Sequence, residues 1–176
     1  METQDARRLV QAEGYLELDL PEEAQKCLAA VNETTKRSFE WNLLAAETHR
    51  VRKEYADALA LFEAAHRQRP QDITIYVNLG WCLKRLHRLK DAITVLKKAD
   101  EICTLLNKEN EHALIKYNLS CYFSLLLEKE PMLDYLRQAL EKDSSYVALI
   151  AKESDFDPFR DDPDFLRLIG SVEFPA

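Results

Sequence analysis

Residues 73–99 read ITIYVNLGWCLKRLHRLKDAITVLKKA. Apolar residues recur there at three- and four-residue intervals on both sides of a short polar break, which is helical spacing twice over. Stepping back 34 residues from Ala92 reaches Ala58, then Ala24, and the same step links Gly80 to Ala46 and Ala12. Leu96, Phe62 and Leu28 keep that register, as do Ala99, Ala65 and Val31. A fixed period in both small and large apolar residues means stacked helical hairpins rather than one closed core.

Working outward, the periodicity predicts helices over about 5–18, 21–31, 39–52, 55–67, 73–86 and 89–106. Pro21 suits the first turn of the second helix, and Glu22 and Glu23 favour its positive end. Pro70 closes the fourth. The rhythm then slips by six residues at 107–112. A fourth unit starts near Ala113, with helices over about 111–127 and 131–142, and Asn118-Leu119-Ser120 echoes Asn78-Leu79-Gly80. Short links make neighbouring helices antiparallel. After Asp143 the period stops. A short helix is expected over 146–152, and Asp162-Pro163 reads as an N-cap followed by a first-turn proline, starting a last helix to Ile169.

At these residues the chain resembles the tetratricopeptide repeat family. The third unit carries Asn78-Leu79-Gly80, Leu83, Ala92, Leu96 and Ala99. The second carries Ala46, Tyr55, Ala58, Phe62, Ala65 and Pro70, and the fourth Asn118-Leu119, Phe123, Leu136, Ala139 and Asp143. The first unit departs most, with Gln11 and Lys36 at motif places, and Met132 replaces a small residue in the fourth. The expected fold is therefore all-α: a right-handed α-α superhelix of four hairpins (about 5–38, 39–72, 73–106 and 113–146). A capping segment over 146–176 follows, similar to those that end bacterial arrays of this family. Its resemblance rests on Asp155-Phe156-Asp157-Pro158 and Arg160-Asp161-Asp162-Pro163-Asp164-Phe165.

The resemblance implies that the first helix of each hairpin lines a concave groove that binds a protein or peptide. The matching residues are Leu43, Leu44, Glu47 and Arg50, then Val77, Asn78, Trp81, Lys84 and Arg85, then Tyr117, Asn118 and Cys121. In the family, asparagines placed like Asn78 and Asn118 hold the backbone of an extended peptide, an amide being able to donate and accept. Trp81 has two readings, a partner anchor or packing within its own unit. Lys84 and Arg85 are read as solvated, with an acidic partner group as the alternative. A two-carboxylate clamp known in the family needs a Lys and an Asn where this chain has Leu9 and Glu13. Leu9, Val10, Leu43 and Leu44 instead make the N-terminal half of the groove apolar, suited to an amphipathic helix or hydrophobic peptide.

Composition sets the outer bounds. Among 176 residues, 24 basic and 31 acidic side chains give a net charge of -7. That argues against nucleic acid and against acidic membranes. The N-terminus lacks the apolar run of a secretory signal, and no stretch is apolar enough to span a bilayer, so a cytoplasmic location is expected. Four cysteines without C-x-x-C spacing read as buried apolar residues in a reducing compartment. The acidic run 155–164 fails as a calcium loop at Phe159, Arg160 and Leu166, and reads as helix capping. His49, His66, His87 and His112 form no ligand motif, and phosphate-binding and nucleophile-elbow patterns are missing. No cofactor, metal or catalytic residue is expected. The expected function is a non-catalytic, monomeric adaptor. The alternatives are a small acidic chaperone for a secreted or aggregation-prone client and a self-associating solenoid.

Overall fold

The computed structural model describes residues 4–171, so 172–176 of the expected capping segment lie outside the described residues. The helices are α1 (Gln4–Glu17), α2 (Pro21–Ala29), α3 (Phe39–Val51), α4 (Tyr55–Gln68), α5 (Ile73–Arg85), α6 (Leu89–Leu106), α7 (Glu109–Leu125), α8 (Lys129–Lys142), α9 (Tyr146–Ile150) and α10 (Pro163–Gly170). Short 3-10 turns lie at Thr35–Arg37 and Ser154–Phe159. Among the described residues no strand occurs, and no helix is long and apolar enough to cross a membrane. α8 begins two residues earlier than the proline suggested. Pro131 still lies in the first turn, where its missing N–H breaks no helical hydrogen bond.

The chain divides into two compact units, one ending at His87 and the other starting at Arg88. In the first, α1 packs on α2, α2 on α3, α3 on α4, and α4 on α5. In the second, α6 packs on α7, α7 on α8 and on the 154–159 turn, and α10 on α8. The residues in 34-residue register are the buried ones. Ala12, Ala24, Ala46, Ala58, Phe62, Ala65, Ala92, Leu96 and Ala99 are all fully buried, and Ser120, Met132, Leu136 and Ala139 continue the set after the slip. The buried Ser120 hydroxyl is satisfied within its own helix, donating to Tyr117 O at 2.7 Å. Each large side chain so buried contributes about 1.5–3 kcal/mol.

The repeat also appears in the backbone. Asp19, Lys53 and His87, again 34 apart, and Leu127 after the slip all have φ between 56° and 64°. Each is the left-handed residue that ends the first helix of a hairpin. Around three of them, two hydrogen bonds close a Schellman motif. Asp19 N bonds Leu16 O and Leu20 N bonds Tyr15 O; Lys53 N bonds Arg50 O and Glu54 N bonds His49 O; Leu127 N bonds Ser124 O and Glu128 N bonds Phe123 O. Asn107 (φ 51°) ends α6 in the same conformation and begins the six-residue slip. The longer α6 is tied to α7 by a buried ion cluster. Asp100 Oδ1 lies 2.8 Å from His112 Nε2, and Lys116 Nζ donates to Asp100 Oδ2 at 2.8 Å.

The acidic run near the C-terminus does the capping work expected of it. Asp162 accepts from the N–H groups of Asp164 and Phe165. Lys129 on α8 meets Asp162 at 2.7 Å and Asp164 at 2.8 Å. Arg160 donates to the carbonyls of Ile150 and Glu153, both at 2.7 Å.

Two predictions follow from these contacts. Leu127 is 69% exposed, so its side chain contributes little packing while its Cβ strains a left-handed residue. Leu127→Gly is expected to raise stability by about 0.5–1 kcal/mol, read as a higher urea midpoint at unchanged m. The second concerns acid. The Lys129 ammonium holds the Asp162 and Asp164 carboxyls below their ordinary 3.8. Their stabilisation is present above that ordinary value and is lost as pH falls through the lower folded values. Between about pH 4 and pH 2 the wild type should therefore lose more stability than Lys129→Met, measured by thermal melts across that range.

Candidate partner-binding surface

In the first unit one face of α3 carries Glu40, Leu43, Leu44, Glu47 and Arg50, at the spacing that lines one side of a helix. α1 contributes Ala6, Leu9, Val10 and Glu13. These α1 residues, with Glu40, Leu43 and Leu44, enclose an open depression of about 290 Å³. Its floor is anchored, because Leu9 and Leu44 also pack against the core formed by Ala12, Ala24, Leu28 and Ala45. Its rim is wet: Val10 is 62% exposed. Glu40 is paired with Arg69 at 2.7 Å. The four apolar residues singled out in the sequence, Leu9, Val10, Leu43 and Leu44, thus meet in one place.

On α5, Val77, Asn78, Trp81 and Lys84 are half-buried and Arg85 is exposed. The Trp81 ring meets Tyr55 edge-on at 5.4 Å. The Arg50 guanidinium lies 5.4 Å from the Trp81 centroid and that of Arg85 5.6 Å. Arg85 also lies 5.3 Å over the Tyr55 ring and donates to its hydroxyl at 3.3 Å. Arg50 donates to Glu47 at 2.6 Å. Trp81 packs inside its unit and is half-buried, so part of the side chain stays open. Arg85 is exposed yet stacked, not merely solvated. Tyr55 joins this cluster from the start of α4, and its role was not foreseen, since it belongs to the hairpin's other helix.

In the second unit, Tyr117 on α7 is only 6% exposed. It stacks on Tyr146 at 4.6 Å and meets Phe156 edge-on at 5.9 Å. Cys121 is buried too, and the Asn118 amide donates to Leu114 O at 3.0 Å within its own helix. Where the sequence suggested partner contacts, this stretch of α7 is therefore covered by the chain's own C-terminal segment.

Comparison with known proteins accords with this geometry. The tetratricopeptide repeat family matches residues 52–102, which span α4, α5 and most of α6. Over those residues the chain is similar to tetratricopeptide repeats. Such repeats form protein–protein interaction modules and are generally non-catalytic. Among 17 matching solved chains is "MamA MSR-1 C2", which superposes with a TM-score of 0.68 over 97% of each chain at 14% identity. At that identity the likeness shows the fold, an all-α solenoid, and nothing of the partner. No curated protein matches the chain.

Among the described residues, two groups bring three potential metal ligands within 4.8 Å of one another. One is His49, Glu54 and Asp57. Its central carboxylate is already held by His49 Nδ1 at 2.6 Å and by the Arg52 guanidinium at 2.9 Å, a fixed cation that opposes a second one. The other is Cys121, Glu153 and Asp155. There Glu153 caps the 154–159 turn by accepting from Asp155 N at 3.2 Å, and Cys121 and Asp155 are engaged within the fold.

All four cysteines are free. Burial pushes the Cys82 and Cys103 thiols up to about 11, so thiolate is scarce at both near neutral pH. Half-buried Cys27 should react first with a thiol-specific disulfide reagent at pH 8, and Cys82, Cys103 and Cys121 only after denaturant is added. Peptide mapping by mass spectrometry checks the order, and early labelling of Cys82 would contradict it.

Proposed function

We propose that this protein is a non-catalytic adaptor that holds a peptide or short helix of a partner protein on the α1–α3–α5 face of its first unit. The observation that carries this reading is the continuity of that face. An apolar depression with exposed Val10 at its rim is followed along α3 by Glu47 and Arg50, which lead to the part-open Trp81 of α5. An interface anchored by aromatic and Arg residues, with apolar pockets beside them, concentrates binding energy in few side chains. The half-buried Asn78 side chain makes no hydrogen bond to another described residue, so its amide is available to a peptide backbone. Four hairpins with a C-terminal cap, a monomeric state and a cytoplasmic location complete the proposal.

The test compares variants against one captured partner. Leu44→Glu puts a charge in the depression and Trp81→Ala removes the anchor. Each is expected to weaken a partner captured by the wild type by about tenfold or more, with the circular-dichroism melt retained. Undiminished binding by both folded variants, measured by titration calorimetry, would reject the surface.

A further inference from the structure

We infer that the first unit selects an acidic–apolar segment with a fixed charge order: an apolar anchor in the α1–α3 depression, and a carboxylate on Arg85 beside Trp81. This rests on the reading of that face as a peptide site.

The two ends of the face differ in sign. The charged residues lining the depression are both carboxylates; Glu40 is already paired with Arg69 at 2.7 Å, so it is Glu13 that sets like charge against an acidic side chain next to the anchor. At about 290 Å³ it lies at the small end of ligand pockets, roughly 300–1,000 Å³, and suits one or two apolar side chains. Around Trp81 the sign reverses. Arg50 is already neutralised by Glu47 at 2.6 Å. Arg85 differs, because among the described residues its contacts are the Trp81 and Tyr55 rings and the Tyr55 hydroxyl, with no carboxylate among them. Stacking on two rings holds the guanidinium in place and leaves its remaining N–H groups to water. A carboxylate is the group that a planar guanidinium meets with two parallel hydrogen bonds.

The spacing follows from α3. Leu43 and Arg50 are seven residues apart, about 10 Å along a helix rising 1.5 Å per residue. An extended chain covers that distance in about three residues, and the 5.4 Å and 5.6 Å steps from Arg50 over Trp81 to Arg85 bring the total to about six at most. The selected segment is therefore an apolar pair, a spacer of that length, and an Asp or Glu.

Three fluorescein-labelled, C-terminally amidated peptides test this on the full chain. Each has a Leu-Leu anchor and a four-residue Gly/Ser spacer, ending in Glu-Glu, Gln-Gln or Lys-Lys. Fluorescence anisotropy should show Glu-Glu bound about tenfold tighter than Gln-Gln and Lys-Lys weakest, with the gap narrowing in salt. Arg85→Glu should invert that order, Arg85→Gln should erase it, and Leu44→Glu should weaken all three. Equal binding of the three peptides by the wild type, or tightest binding of Lys-Lys, overturns the charge order. If Leu44→Glu still weakens binding in that case, the surface itself stands. Loss of Leu44 dependence, or no binding of any peptide, overturns the surface as well.

Discussion

Helices can pack closely only where one of them offers a small side chain, and here that requirement recurs every 34 residues. Ala12 and Ala24 in the first hairpin, and Ala46 and Ala58 in the second, are completely buried. Even one extra methylene at such a site strains neighbours by about 1–3 kcal/mol. Once these positions are fixed, the large residues in register, Leu28, Phe62, Leu96 and Leu136, have one side on which to be buried. The first helix of each hairpin then has a face left over. The fourth hairpin shows how far the rule bends. Met132 stands where the register calls for a small residue and is nonetheless fully buried, with Ser120 small on the other helix.

Helix positions were visible in the sequence because periodicity is a statement about burial, and burial is what shaped these residues. The turns between them were not. A left-handed residue that ends a helix is ordinarily announced by glycine, yet Asp19, Lys53, His87 and Leu127 fill those places. At Asp19, Lys53 and Leu127 two backbone hydrogen bonds per turn outweigh the strain of one side chain, so the conformation survives without its usual marker. The 154–159 turn escaped for another reason: 3-10 geometry has no 3.6-residue period to detect. The last cap was visible, because Asp162-Pro163 states its role through side-chain chemistry rather than through spacing.

The candidate partner-binding surface divides along the same line. Leu9 and Leu43, like Val10 and Leu44, lie 34 residues apart and so share a face, and the family resemblance implied that this face lines the groove. The Trp81 cluster could not be placed in this way. It brings Arg50 from one helix, Tyr55 from the next and Arg85 from a third, and cation–π contacts carry no sequence period. Tyr117 sits in the register of a partner-facing residue. What covers it, Tyr146 and Phe156, lies in a tail without any repeat pattern.

That covering supports the first unit, rather than α7, as the proposed place for a partner. Aromatic pairs contribute about 0.5–1.5 kcal/mol each beyond the area they bury, and Tyr117 already has two of them. Anything binding there has first to displace its own chain's aromatic groups, then replace the contacts they made. On the α1–α3 face only water has to leave. Val10 and the part-exposed Leu43 and Leu44 lose unfavourable hydration when covered, and their packing on the core below keeps the floor from needing to reorganise. An equal set of partner contacts therefore yields more net affinity on the first unit than on α7. The tail, by covering Tyr117, leaves the α1–α3 face as the more open of the two proposed surfaces.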